Sequence, residues 1–75
     1  MYSKISVKSV AFSPNGEILA TSYNNEIKLW DMNTKKEICT LKGHSAKVNS
    51  LVFSPGGQTL YSSSDDTTIK MWRHE

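Results

Sequence analysis

The chain repeats itself. Phe12-Ser13-Pro14-Asn15-Gly16 returns as Phe53-Ser54-Pro55-Gly56-Gly57, and Ile27-Lys28-Leu29-Trp30 returns as Ile69-Lys70-Met71-Trp72. The first pair is separated by 41 residues and the second by 42. A period of that length makes each copy one small structural unit, unable to bury its apolar faces alone and stable only when stacked on neighbours. The chain therefore reads as a stretch of a stacked array. Two copies are few, because an array needs three or more.

Each copy is built of strands. A helical period is absent. Apolar residues fall at spacing two or in short blocks rich in β-branched types, between clusters of Gly, Pro, Asn and Asp. The pattern predicts seven strands, at residues 7–12, 18–22, 27–31, 37–41, 48–53, 60–63 and 69–72. Ser13-Pro14-Asn15-Gly16 is a turn, since proline pre-sets φ and glycine accepts a positive one. Tyr23-Asn24-Asn25-Glu26 is a tight turn, since asparagine tolerates the left-handed region. All connections are short, so sequential strands pair antiparallel as a meander. The first unit is expected over residues 1–41, with four strands, and the second over 42–75, with three. The repeat is cut out of phase at both ends, which predicts a fragment or partial gene product of a longer array.

The chain has 75 residues, 37% of them hydrophobic, near the lower limit for a single self-sufficient core. Its formal charge of +2 is mild and evenly spread, so neither nucleic acid nor an anionic membrane is expected as a partner. Lys35-Lys36 beside Glu37 reads as a solvated turn. The single cysteine, Cys39, excludes an internal disulfide and fits a reducing compartment. It is expected to pack on its strand as a small hydrophobe. Apolar runs are too short to span a membrane, and the N-terminus lacks the apolar core of a signal peptide. An intracellular, cytoplasmic location is the expectation.

The repeated residues resemble the WD-repeat β-propeller family. The family pattern is a Gly-His pair, a strand ending in Phe-Ser-Pro-x-Gly, a Ser-rich strand, an Asp turn, and Ile-Lys-Leu-Trp-Asp. Here it reads Gly43-His44, Phe53 to Gly57, Leu60-Tyr61-Ser62-Ser63-Ser64, Asp65-Asp66-Thr67-Thr68 and Ile69-Lys70-Met71-Trp72. The resemblance covers residues 5 to 73, and its period of about 40–45 residues is the family's. It implies an all-β fold of antiparallel four-stranded blades. About two blades, seven strands in all, would form a partial ring of a propeller of about 4–8 blades.

The resemblance also implies a supporting tetrad at His44, Ser62, Asp66 and Trp72. Asp66 would accept from His44, and Ser62 would link His44 to the indole N–H of Trp72, a donor that burial otherwise leaves unpaired. The first copy departs from this pattern. Trp30 is present and Thr21 can stand for the serine, but Asn24 or Asn25 replaces the aspartate and Ser3 falls at the histidine position. A looser first blade is expected. Arg73 follows Trp72 where the first copy has Asp31, a surface position where the change costs little.

His44, Ser62 and Asp66 are also the ingredients of a Ser-His-Asp triad. The structural role is preferred. An indole donor has no part in hydrolysis, no oxyanion hole or cleft has a visible source, and no Gly-x-Ser-x-Gly elbow occurs. Cys39 and His44 lack metal-ligand spacing, and Asp65-Asp66 lacks a calcium ladder. No phosphate loop is present, and no cofactor is expected. Trp30 and Trp72 read as core rather than as stacking platforms.

What remains is a stiff β scaffold for binding other proteins or peptides. By position, the family's contact face falls on Lys47, Asn49 and Asp65 in the second copy, and on Ser6, Lys8 and Tyr23 in the first. Tyr23, an aromatic in a turn, either anchors a contact or packs over the neighbouring blade. Two further readings stand beside the scaffold. One is a regulatory or sensing module of a larger kinase or NTPase. The other is a chain whose copies assemble, three giving six blades and four giving eight. Further blades, from the same longer chain or from other copies, are thus among the expected partners.

Overall fold

Every strand that the repeat predicts is present, with ends that differ by at most three residues. The structure, a computed structural model, describes residues 7–73. Its order is β1 (Val10–Phe12), β2 (Ile18–Tyr23), β3 (Glu26–Asp31), β4 (Lys36–Lys42), β5 (Val48–Phe53), β6 (Thr59–Ser64) and β7 (Ile69–Arg73). The first four pair antiparallel in the order β1-β2-β3-β4, and the last three in the order β5-β6-β7.

The Phe-Ser-Pro-x-Gly turns close identically. Gly16 N donates to Ser13 O and Gly57 N to Ser54 O, both at 2.9 Å, and both glycines have φ of 76°. The serine hydroxyls accept from the backbone N–H that opens the next strand, Ile18 or Thr59. Asn24 takes φ 52° in the β2–β3 turn, the left-handed conformation asparagine tolerates.

β1 is shorter than the sequence pattern predicts. The strand was expected from residue 7, but the Ser9 N–H bonds to the Ser22 hydroxyl at 2.9 Å instead of a backbone carbonyl. Backbone bonds continue past it out of regular register, Ser22 N to Ser9 O at 3.0 Å and Lys8 N to Ser22 O at 3.3 Å, and regular pairing begins at Val10↔Thr21.

Strand alternation sorts each sheet into two faces. Cross-strand pairs Ala11↔Ala20, Ala20↔Leu29 and Ile27↔Leu41 gather one apolar face of the first sheet. Leu51↔Ser62 and the run Phe53↔Leu60↔Trp72 gather one face of the second. These two faces meet in the shared core. Ala20, Ile27, Val48, Leu51 and Leu60 are buried there, with Ala11, Leu29, Leu41, Phe53 and Trp72 packed around them. Each buried Ile, Val or Leu contributes about 1.5–3 kcal/mol relative to exposure, so neither sheet would keep this stabilisation alone. β5 lies against β1 and β2. Two hydrogen bonds tie the seam: Val48 N to Asn24 O at 2.7 Å, and Asn25 Nδ2 to His44 O at 3.2 Å.

Cys39 departs from expectation. It is exposed on β4 rather than packed. It stands opposite Leu29 on the inward face, but at the outer strand. The facing sheet has three strands among the described residues, so no fourth strand lies across from it. Arg73 is exposed, in keeping with a surface position.

Candidate functional site

The loop between β4 and β5 carries Gly43 and His44, and its position is set from below. The Trp72 ring lies so close to Gly43 that a Cβ added there would meet its Cη2 at 3.0 Å. Only glycine lets the backbone pass the indole without displacement. His44, one residue on, is buried and enters a chain of hydrogen bonds.

Trp72 Nε1–H donates to Ser62 Oγ at 2.8 Å, and Ser62 Oγ lies 2.7 Å from His44 Nε2. With the indole donating to it, Ser62 directs its own O–H to Nε2, which accepts. Nδ1–H then donates to Asp66 Oδ2 at 3.1 Å and to Thr68 Oγ1 at 3.2 Å. The sense of donation runs one way, from Trp72 through Ser62 and His44 to Asp66. Every buried side-chain polar atom among the described residues has a partner, so the network carries no desolvation penalty from an unmade bond.

Asp66 ends the chain and holds the loop. Its carboxylate accepts from the Thr68 hydroxyl, from the backbone N–H of Ser45 at 2.9 Å, and from the backbone N–H of Thr68 at 2.9 Å. The Thr68 hydroxyl is the largest influence holding its pKa well below the ordinary carboxylate range, with Ser45, the Thr68 amide and His44 adding to it and burial opposing. Hydrogen bonds that serve only the charged form keep it ionised.

The order of bonds in Ser62, His44 and Asp66 is that of a hydrolase triad. What differs is access. Ser62 is 1% exposed and its oxygen already accepts the Trp72 indole. No substrate carbonyl can reach it without dismantling the blade.

Among the described residues of the first blade, the Trp–hydroxyl bond is the part of this network that is present. Trp30 Nε1 donates to Thr21 Oγ1 at 3.0 Å. Asn25, where an aspartate would stand, turns to the His44 carbonyl across the seam. Ser3, at the histidine position, lies outside the described residues, as does the candidate contact residue Ser6.

Of the other candidate contact residues, four come together on one rim. Asn49 Nδ2 donates to Asp65 Oδ1, and Asp65 N donates to Lys47 O at 2.9 Å. Lys47 and Lys8 line one shallow hollow over the blade seam with Val7 and Asn24. All four candidates are exposed. Tyr23 does not join them. It is buried at the end of β2 and outside the shared core cluster, with the Lys28 ammonium 5.7 Å from its ring centroid. That geometry is a cation–π contact, and burial keeps Tyr23 from being an exposed anchor.

Thr68 and Asn25 are functional positions the sequence reading missed. An aspartate two residues before a threonine is an Asx-turn signal, and applied to Asp66 it points to Thr68. Asn25 carried no such signal, because its partner is the His44 backbone across the seam.

The family model described as WD domain, G-beta repeat matches residues 3–31 and again 35–73. The chain is 36% identical to the Nuclear distribution protein PAC1 of Arthroderma otae, over 89% of this chain and 16% of that protein. It is 37% identical to Pre-mRNA-processing factor 19 of Mus musculus, over 80% of this chain and 12% of that protein. It is 34% identical to the Target of rapamycin complex subunit wat1 of Schizosaccharomyces pombe, over 88% and 22%. The chain thus spans less than a quarter of the length of each of these relatives.

Proposed function

This chain belongs to the WD40 repeat family, and on that premise we propose that it is a protein-interaction scaffold with no catalytic activity of its own. One observation carries this reading. The buried network holds the two loops, at residues 43–47 and 65–68, that carry Lys47 and Asp65, with Asn49 beside them at the start of β5 and bonded to Asp65. A rigid frame beneath freely variable surface residues is what a docking platform requires. Lys8 extends the face across the seam. Lys8 and Lys47 form no ion pair among the described residues, whereas Lys42 is paired with Glu26 at 3.6 Å. Their ammonium groups are free to meet acidic groups on a protein or peptide.

The partner is a protein rather than a nucleic acid or a membrane, given a net charge of only +2. The free Cys39 thiol supports a place inside the cell, in the cytoplasm. The test is capture by the recombinant chain, or by a longer parent, with Lys47, Asn49 and Asp65 replaced together. Loss of the captured partner supports this face, and unchanged capture removes it.

A second reading, a regulatory module within a larger signalling enzyme, is favoured by the small share of each relative that this chain covers and by the wat1 relative's name as a complex subunit. A catalytic domain upstream in the same reading frame would support it, and a self-contained short frame would remove it.

A further inference from the structure

At several matching repeat positions the two sheets place apolar residues with opposite exposure. The face of the first sheet that enters the core contains Ala11, Ala20, Ile27 and Leu29. Its counterparts in the second sheet, by repeat position and by cross-strand register, are Val52, Tyr61, Ile69 and Met71. Ile27 is 0% exposed and Ile69 73%; Ala20 is 0% exposed and Tyr61 40%. All four second-sheet residues are exposed large hydrophobics.

The other pair of faces shows the reverse. The second sheet buries Leu51, Phe53, Leu60 and Trp72 in the core. Their first-sheet counterparts are Val10, Phe12, Leu19 and Trp30, on the face turned away from it. The reversal lies at Val10 and Phe12: Leu51 is 5% exposed and Val10 54%, and Phe12 is exposed where Phe53 is half-buried, while Leu19 beside them is itself buried and Trp30 half-buried. The molecule therefore displays both halves of the interface it already uses internally, one at each end.

We infer that a second copy of this chain docks head to tail, with the Val52, Tyr61, Ile69 and Met71 face of one copy stacked on the Val10, Phe12, Leu19 and Trp30 face of the next. The occupant is set by the internal interface: each bare face is the positional counterpart of a surface that here packs against the counterpart of the other. Such a contact is heterologous, using two different patches, and closes into a ring when its rotation allows. Two to four copies would supply about 4–8 blades, the range of closed propellers. Exposed apolar patches of this kind on an otherwise polar chain mark interaction surfaces. The inference does not use the rim formed by Lys8, Lys47, Asn49 and Asp65.

The test is mass in solution by sedimentation equilibrium, on the whole chain and two variants. Ile69→Glu with Met71→Glu removes one face, and Val10→Glu with Phe12→Glu removes the other. The unaltered chain should sediment as an integral multiple of its monomer mass, falling on dilution. Each variant alone should be monomeric. The two mixed should form a one-to-one dimer and nothing larger, because one intact face of each kind remains. A wild-type monomer at every concentration overturns the inference and leaves both faces to blades of a longer chain. Association of either variant alone overturns it in favour of symmetric pairing, and a mixture that stays monomeric also overturns it. Far-UV circular dichroism checks each fold. If a glutamate variant unfolds, the serine versions at the same positions replace it, with association expected to weaken at least tenfold. Replacing Lys47, Asn49 and Asp65 should leave the mass unchanged, so failure here is distinguishable from failure of the docking rim.

Discussion

The two blades share a core and a strand pattern, but they are held differently. In the second, a tryptophan, a serine, a histidine and an aspartate form an unbroken chain of hydrogen bonds from a strand end to a surface loop. In the first, the described residues supply one bond of that chain, Trp30 to Thr21. The asparagines of its turn reach across the seam to His44 O and Val48 N. A complete network fixes its own loop, whereas an incomplete one borrows order from its neighbour. The rim proposed for docking is correspondingly built mostly from second-blade residues.

The comparison is broken most forcefully at positions that match in the repeat but differ in burial. Ile27→Ala should cost about 2–5 kcal/mol through lost transfer energy and a cavity in the shared core. Ile69→Ala, at the same place in the second blade, should change stability by about 0.5 kcal/mol or less in dilute solution. Urea unfolding of the two variants reads both. Equal effects would mean that the sheets do not pack as described.

Next come the two tryptophan partners. Ser62→Ala strands the Trp72 N–H and the His44 Nε2 together, and should cost about 1–3 kcal/mol. Thr21→Ala strands only the Trp30 N–H at a half-buried site and should cost about 1 kcal/mol or less. Thermal melts of the pair sharpen the contrast between a network and a single bond.

Acid should separate the blades further. Asp66 titrates below its ordinary 3.8 in the folded chain, chiefly through the Thr68 hydroxyl. A depressed folded value means stability that is present above about pH 4 and lost as pH falls through the folded value. Melting temperature should therefore drop in that window, and Asp66→Asn should flatten the dependence. The first blade has asparagines in the corresponding turn and no such term.

The smallest effect is expected at Glu37, whose acidity is increased by the Lys28 hydrogen bond and then by Thr40. The pair lies on the surface at 3.1 Å. Glu37→Gln should be barely measurable in low salt and vanish in high salt, as screening removes the attraction.

Much of this was legible in the sequence because it is local or periodic. The turns after Phe12 and Phe53 follow from proline and glycine, and the strands follow from alternation between them. Residues brought together from distant positions were less so. Tyr23 reads as a turn aromatic, but burial and the Lys28 ammonium remove it from the rim. Cys39 reads as core, but at the outer strand nothing described covers it. β1 starts late because the Ser22 hydroxyl accepts from Ser9 while its carbonyl accepts from Lys8, an irregularity between side chain and backbone that a period-two pattern does not register. The Asn25 tie exists only because the sheets meet where they do.

Centrally, the buried network of the second blade fixes that blade's docking loops, and the turn after Phe12 in the first blade does not depend on it. Amide hydrogen exchange of the wild type and Ser62→Ala measures it directly. The account predicts that protection at Ser45, Asp65 and Thr68 falls in the variant, while the turn amides of Ser13 and Gly16 keep theirs. Protection lost equally in both blades, or unchanged at Ser45 and Thr68, would contradict it.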